Sequence, residues 1–509
     1  MSIWSGSPPR LYRTLAAAAI LLLAWPVAGC RDAAEPSASP GGGQTAAASA
    51  SAGAPGTRTP AEEEDWEPYE ADDEEQTLTV MYASEEAFYR DIGNLFIARY
   101  PKVSFEVVDL SATRGDGDLV ADYERVLDKR QPDVLLMEPP IYRALADKGR
   151  LQELELPIRR SGFDLDGFVP GVIELLKEGG GGHLYGLSNH FTSRALYYNK
   201  TLFDRYGIPY PASGISWEEA LRLAGRFPKR DGDGQPLYGL YQPTFTVSPF
   251  DLVQRIGAAG KLAALDPKRT SLQYGSQSWS RVFKQVMEGY RSGAVAYPKA
   301  PLSDNGDGSF SMSLGGNAFA EGKAAMAVDD VLTLRMMDIQ ARGGEEAAFD
   351  WGIVPAPVDP ASPGRTTLFE LSDIYAINRD TDQAALAWTF LSFLHSDEYM
   401  KLISRSTTGL LAREGYERDA RGRDLSAFYA LGPDTGISDT LVPVGFSQAF
   451  QHIAADAIEA AVSGKLTDDE ALAQIVAEGQ RALDEKRKSA GLESFDLNVF
   501  GSARAATGG

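Results

Sequence analysis

Cysteine is almost absent from this 509-residue chain: the single one is Cys30, so no disulfide can form within it. Its cores must therefore hold by packing alone. Histidine is scarce too, with only His183, His190, His395 and His452. None of the four falls into H-E-x-x-H, and no cysteine after residue 30 is available to complete a zinc site. G-x-S-x-G, S-x-x-K and a Walker-type GxxxxGK are missing as well. Positive charge is in deficit: 49 Lys and Arg face 71 Asp and Glu, for a formal net charge of −22. A nucleic-acid partner requires a basic footprint, and none is here. Two stretches approach a calcium loop, 231–234 and 304–308, but neither has the ligand spacing, and Asp with Gly is the ordinary composition of a tight turn. The glycines at 179–182 lack the strand before and helix after that a phosphate cradle needs. No catalytic constellation, cofactor or metal is expected. Acidic pairs assembled by folding still leave an enzyme acting on cell-surface polysaccharide as an alternative.

Long apolar runs are also missing, with one exception. Arg10 and Arg13 precede LAAAAILLLAWPVAGC at 15–30, which has the basic, apolar and small-residue order of a secretory signal. Its ending, Val27-Ala28-Gly29-Cys30, resembles a lipoprotein cleavage box, which implies lipid attachment at Cys30 and a domain tethered outside the cytoplasmic membrane. Residues 31–76 follow as Ala, Ser, Gly and Pro and then acid, ten of the fourteen residues from 62 to 75 being Asp or Glu. Such a segment buries too little apolar surface to fold and reads as an extended, disordered tether.

Folded sequence begins at QTLTVMYAS, where Leu78, Val80 and Tyr82 alternate as in a strand. A helix is expected with Phe88, Ile92, Leu95 and Phe96 on one face, then a strand in YPKVSFEVVDL, a helix near 119–127 and a strand in PDVLLMEPPIY. Strands alternating with helices predict a parallel α/β sheet. The stretch 184–224 organises the rest. A strand centred on Tyr197 and Tyr198 leads through Gly207, Pro209, Pro211 and Gly214 to a helix started by the capping-box pair Ser216 and Glu219. Trp279, Phe283, Val286 and Met287 stripe a later helix and read as core. Thr467 with Glu470 forms a second capping box.

YGLS, YYNKTLFDRYGIPYP and SWEEAL, then FAEGKAAMAVDD at 319–330, DWGIVPAPVDP at 350–360, FELSDIYAINRD at 369–380, STTGLLAREGY and the closing pair of helices at 447–483 occur in one order. In that order they resemble the bacterial extracellular solute-binding proteins of the sugar type, the maltose-binding-protein-like class, over residues 77 to about 485. The resemblance implies an α/β, two-lobed type II periplasmic-binding-protein fold with discontinuous lobes. These would be 77–193 plus 373–435, and 194–372 plus 436–490, with a tail at 491–509 and interlobe crossovers near 194–199, 370–375 and 435–442. It also implies a non-enzymatic monomer that captures a small solute, a sugar or oligosaccharide, and delivers it to ABC permease subunits. A ligand-presenting sensor for a membrane receptor kinase is a second alternative.

Ligands of α/β sheets gather at the carboxyl ends of strands. That rule selects Ser84 and Glu85, Glu138, the run Asn189, His190 and Phe191, then Gln242, Thr244 and Phe245, then Asp329 and Asp330, and at the second crossover Glu370, Ser372 and Asp373. Carboxylates and amides bind sugar hydroxyls, and rings cover the apolar faces of a sugar. The chain departs from the maltose-binding pattern at Val331 and Leu332, at Gln451, and at Glu138-Pro139-Pro140, where that relative carries tryptophans and an Asp-Arg pair.

Overall fold

A computed structural model describes residues 69, 74–110, 119–242, 248–297, 302–304, 310–312, 317–341, 349–405, 409–435 and 445–489. The signal segment with Cys30, most of the 31–76 tether, Thr244, Phe245, the crossover beyond residue 435 and the 491–509 tail lie outside the described residues. Tyr69 is described, and its ring meets Tyr100 edge-on at 6.4 Å. Among the described residues no helix is long and apolar enough to cross a membrane.

Nine strands build two sheets: β1 (Gln76–Tyr82), β2 (Val103–Asp109), β3 (Val134–Met137), β4 (Gly186–Leu187), β5 (Ala195–Asn199), β6 (Tyr238–Tyr241), β7 (Ala324–Asp329), β8 (Trp351–Pro355) and β9 (Ile374–Ile377). The first lobe's sheet runs β2-β1-β3-β9-β4 and the second lobe's β8-β5-β7-β6. The opening strands β1, β2 and β3 are parallel, as alternation with helices predicts. The sheets as wholes are mixed, which corrects the parallel expectation. β9 runs antiparallel to β3 and β4, and β5 runs antiparallel to β7 and β8. β5 and β9 are the strands that arrive from the other lobe, so they enter each sheet from the opposite end.

Alternation along β5 shows how the second sheet is buried on both sides. Ala195 and Tyr197 join one core and Leu196 the other. The second core is finished by the closing helices Phe446–Val462 and Asp468–Ser489, through Phe450, Ile458 and Ile475. It includes Trp279, Phe283, Val286 and Met287, all buried as the helical stripe predicts. Both capping boxes form: Ser216 with Glu219, and Thr467 with Glu470. The helix expected around Phe88 is interrupted by a π turn at Tyr89–Gly93. Phe88, Ile92 and Phe96 remain buried while Leu95 is turned partly to solvent.

Gly239 in β6 shows why one position tolerates no side chain. A Cβ there would lie 2.0 Å from the Ala224 carbonyl oxygen, so sheet and helix Trp217–Ala224 touch backbone to backbone. In the first core His395 is fully buried between the rings of Phe168 and Tyr375, and its Nδ1 lies 2.7 Å from the Leu391 carbonyl oxygen. The arginine of STTGLLAREGY, Arg413, is buried beside it, donating to the His395 carbonyl at 3.0 Å and covering the Phe168 ring at 5.0 Å.

Candidate functional site

The two chain segments that pass between the sheets lie side by side. Thr192 N–H donates to the Glu370 carbonyl and Glu370 N–H to the Thr192 carbonyl, both at 2.8 Å. Two residues after Thr192 comes Arg194, and three after Glu370 comes Asp373, so each segment carries a charge into the sheet it enters.

On the second lobe, three groups share one sheet end. Asp329 closes β7 opposite Ala195, and Arg194 stands one residue before that rung. The parallel register of β6 on β7, Tyr241 opposite Ala327, brings Gln242 level with Val328. Asp329 is buried, and its carboxylate accepts from the Thr333 hydroxyl, which in turn accepts from Asn317 Nδ2 at 3.4 Å. Burial and the neighbouring Asp330 charge raise the Asp329 carboxyl well above the ordinary range. Arg255, on the helix Asp251–Ala259, reaches the same place. Burial, then repulsion from Arg194, lowers its guanidinium to about 10, while Asp251, Asp329 and Glu370 oppose that change. Among the described residues its Nη1, sealed from water, has no hydrogen-bond partner, and neither has Nε2 of Gln242, a side chain only 8% exposed.

On the first lobe, Tyr82 ends β1, Glu138 follows β3 and Asp373 precedes β9, whose Ile374 pairs with Met137. Glu138 and Asp373 are exposed, yet the Asp373 carboxyl is raised by desolvation first and by the Glu138 charge besides. Ser372 lies 3.5 Å from Asp373 through its hydroxyl. Burial and Asp91 push the Tyr82 phenol up to about 12.

The other selected residues are placed differently. Ser84 is a helix cap, accepting from Ala87 N–H at 3.2 Å, and Glu85 is exposed in the first turn of that helix. Asn189 is buried, with Oδ1 2.7 Å from Nδ1 of His190, whose imidazole burial lowers to about 4. Phe191 is 2% exposed, stacked on Phe369 at 4.5 Å and met edge-on by Tyr429 at 5.1 Å. The structure thus spends this ring on packing beneath the crossing segments rather than offering it to a groove. Sequence reasoning overlooked Tyr82, Arg194 and Arg255. Tyr82 read as an alternating strand residue, and Arg255 lies on the helix Asp251–Ala259 among the buried Leu252, Val253 and Ile256 with no motif to mark it; only Arg194, beside the crossover strand, carried a positional hint.

A separate recess of roughly 200 Å³ opens next to Val331, between the helix Leu332–Gln340 and residues 404, 409–411 and 416–429. Asp338 on its wall pairs with Arg421 at 2.6 Å and Arg423 at 3.0 Å.

A family model for bacterial extracellular solute-binding proteins matches residues 82–401. The structure of a sugar transporter protein from Rhizobium etli in an open conformation superposes with a TM-score of 0.58 at 18% identity, covering 79% of this chain and 99% of that one. An ABC substrate-binding protein from Listeria monocytogenes in complex with cycloalternan gives 0.52 at 17% identity, covering 82% and 100%. A family 1 extracellular solute-binding protein from Alicyclobacillus acidocaldarius gives 0.59 at 16%, covering 82% and 100%. A curated relative from Brucella abortus, named as a binding protein, is 22% identical over 259 residues, half of this chain; the match spans 57% of that protein's length. At such identities the structural likeness is one of fold.

Proposed function

Because the chain belongs to the bacterial extracellular solute-binding proteins, we propose that it captures a small carbohydrate between its lobes and delivers it to an ABC importer. The family is one of extracellular solute-binding proteins, and on this reading the chain binds its solute without transforming it. The observation that carries the reading is the pair of polar strand-end clusters, Gln242, Asp329, Arg194 and Arg255 on one side and Glu138, Ser372 and Asp373 on the other. The hydrogen-bonded Thr192 and Glu370 segments run between them. Closure about two such segments would press both clusters onto one ligand. Glu138, Ser372, Gln242 and Glu370 are then the polar contacts, with Ser84 capping the helix beside them and Asn189 holding the His190 ring. Cys30 would carry the lipid that keeps the protein at the membrane beside its permease, and mass analysis of the mature N-terminal peptide checks this. The main test is a thermal-unfolding screen of the full chain against neutral and acidic mono- and oligosaccharides. A saturable rise in unfolding temperature with at least one of them is expected, and no rise with any refutes the reading.

A further inference from the structure

In a chain with far more acid than base, cations normally find carboxylates, as Arg291 does with Asp468 and Arg365 with Glu174. Arg194 and Arg255 do not: among the described residues neither makes an ion pair or a hydrogen bond. They repel one another at the second lobe's sheet end, and burial together with that repulsion is what lowers the Arg255 guanidinium. At about 10 it still remains a cation at neutral pH. On the neighbouring strand end Gln242 keeps its amide nitrogen sealed and, among the described residues, unbonded. Arg255 is half-buried and feels the charges of Asp251, Asp329 and Glu370 without a hydrogen bond to any of them, and a sealed donor without an acceptor is expensive to maintain, so these groups call for a partner that arrives from outside. All the unmet capacity is of one kind. Arg255 Nη1 and Gln242 Nε2 can only donate, and Arg194 adds positive charge with donors of its own. Asp329 accepts from Thr333 and, among the described residues, makes no hydrogen bond to any of the three.

Resting on the reading that this cleft binds a solute, we infer that the solute carries an anionic oxygen group, received by Arg255, Arg194 and Gln242. A carboxylate or a phosphate ester suits the guanidinium fork, which grips two oxygens at once. The rest of the solute, its hydroxyls, faces Glu138, Ser372 and Asp373 across the cleft, where carboxylates accept hydrogen bonds from hydroxyls but would repel a second anion.

Calorimetric titration of the full chain tests this with D-galacturonate and digalacturonate as carboxylate probes, glucose 6-phosphate as the phosphate probe, and D-galactose with galactobiose as neutral counterparts. The carboxylate or the phosphate arm should bind more tightly than its neutral counterpart. The Arg255→Met and Arg194→Met variants should each weaken the acid by roughly tenfold or more, as losing a charged hydrogen bond does, and weaken the neutral counterpart by a clearly smaller factor, so that the preference for the acid falls. Should Arg255→Met fail to fold, Arg194→Met at its half-buried position decides alone. Tight binding of a neutral sugar but of no acid overturns the inference and leaves the solute-binding reading standing. So does acid binding that neither variant changes, or a loss equal for acid and neutral sugars, which would mark the arginines as parts of the closing interface. Binding of nothing in either class removes both.

Discussion

At the scale of single residues, burial separates side chains that sequence position alone had grouped together. Phe191 and Glu138 both follow a strand and both were selected as ligand groups, yet one is sealed between Phe369 and Tyr429 and the other is exposed. Truncating a buried phenylalanine removes about 3–5 kcal/mol, from lost transfer and the cavity left behind. Phe191→Ala should therefore lower the urea midpoint sharply, whereas Glu138→Ala should leave unfolding unchanged and weaken ligand binding. Equal midpoints in the two variants would contradict this placement. His395 makes a second residue-scale prediction. Burial lowers its imidazole to about 4, from an ordinary value near 6.5. A base whose folded value is depressed stabilises the fold above its unfolded value and loses that contribution as pH falls through the folded one. The window is therefore pH 6.5 down to about 4, and the contribution is on the order of 3 kcal/mol. His190 is lowered to about 4 by the same cause and adds to the slope. Denaturant midpoints should fall across that window, and His395→Gln should make the fall shallower. An unchanged slope would show that this imidazole is not what acid attacks.

At the scale of elements, most of the fold was legible. Capping pairs are local chemistry, so Ser216 with Glu219 announced its helix from four residues. The Trp279 stripe is helix geometry repeated, and it is buried where expected. Strand direction was not legible, because the antiparallel run of β5 and β9 depends on which lobe the chain has come from, and alternation within a strand is the same either way. The site was half legible for a similar reason. Strand ends such as Gln242 and Asp329 can be found by counting, but Arg255 becomes part of the site only when its helix packs over the sheet. Close approach between elements was equally hidden. Gly239→Ala would drive a methyl into the Ala224 carbonyl, where no side chain can rotate away. We expect a loss of at least about 1–3 kcal/mol, the usual range for overpacking. Gly257→Ala, which meets the Trp279 ring, should cost less, because helix propensity returns about 1 kcal/mol and an indole can shift. Urea titration of both variants checks the ranking, and a milder Gly239→Ala would refute it.

At the scale of the whole molecule, chain order and spatial order disagree. The first sheet receives β9 some 190 residues after β4 (374 against 186), and the second core receives its closing helices only at 446–489. Neither half is therefore a finished unit until nearly all of the chain is present. A fragment ending at residue 373 should be digested rapidly by a broad-specificity protease while the full chain resists, and a resistant first-lobe fragment would refute this. The same arrangement bears on how the protein reaches its place of work. A polypeptide threaded through a secretion pore must stay unfolded until it has passed, and domains that complete themselves early on the ribosome would obstruct it. Under the proposed export, β9 and the closing helices emerge after the strands they complete, so the interleaving of the two sheets would hold folding back until those pieces have passed.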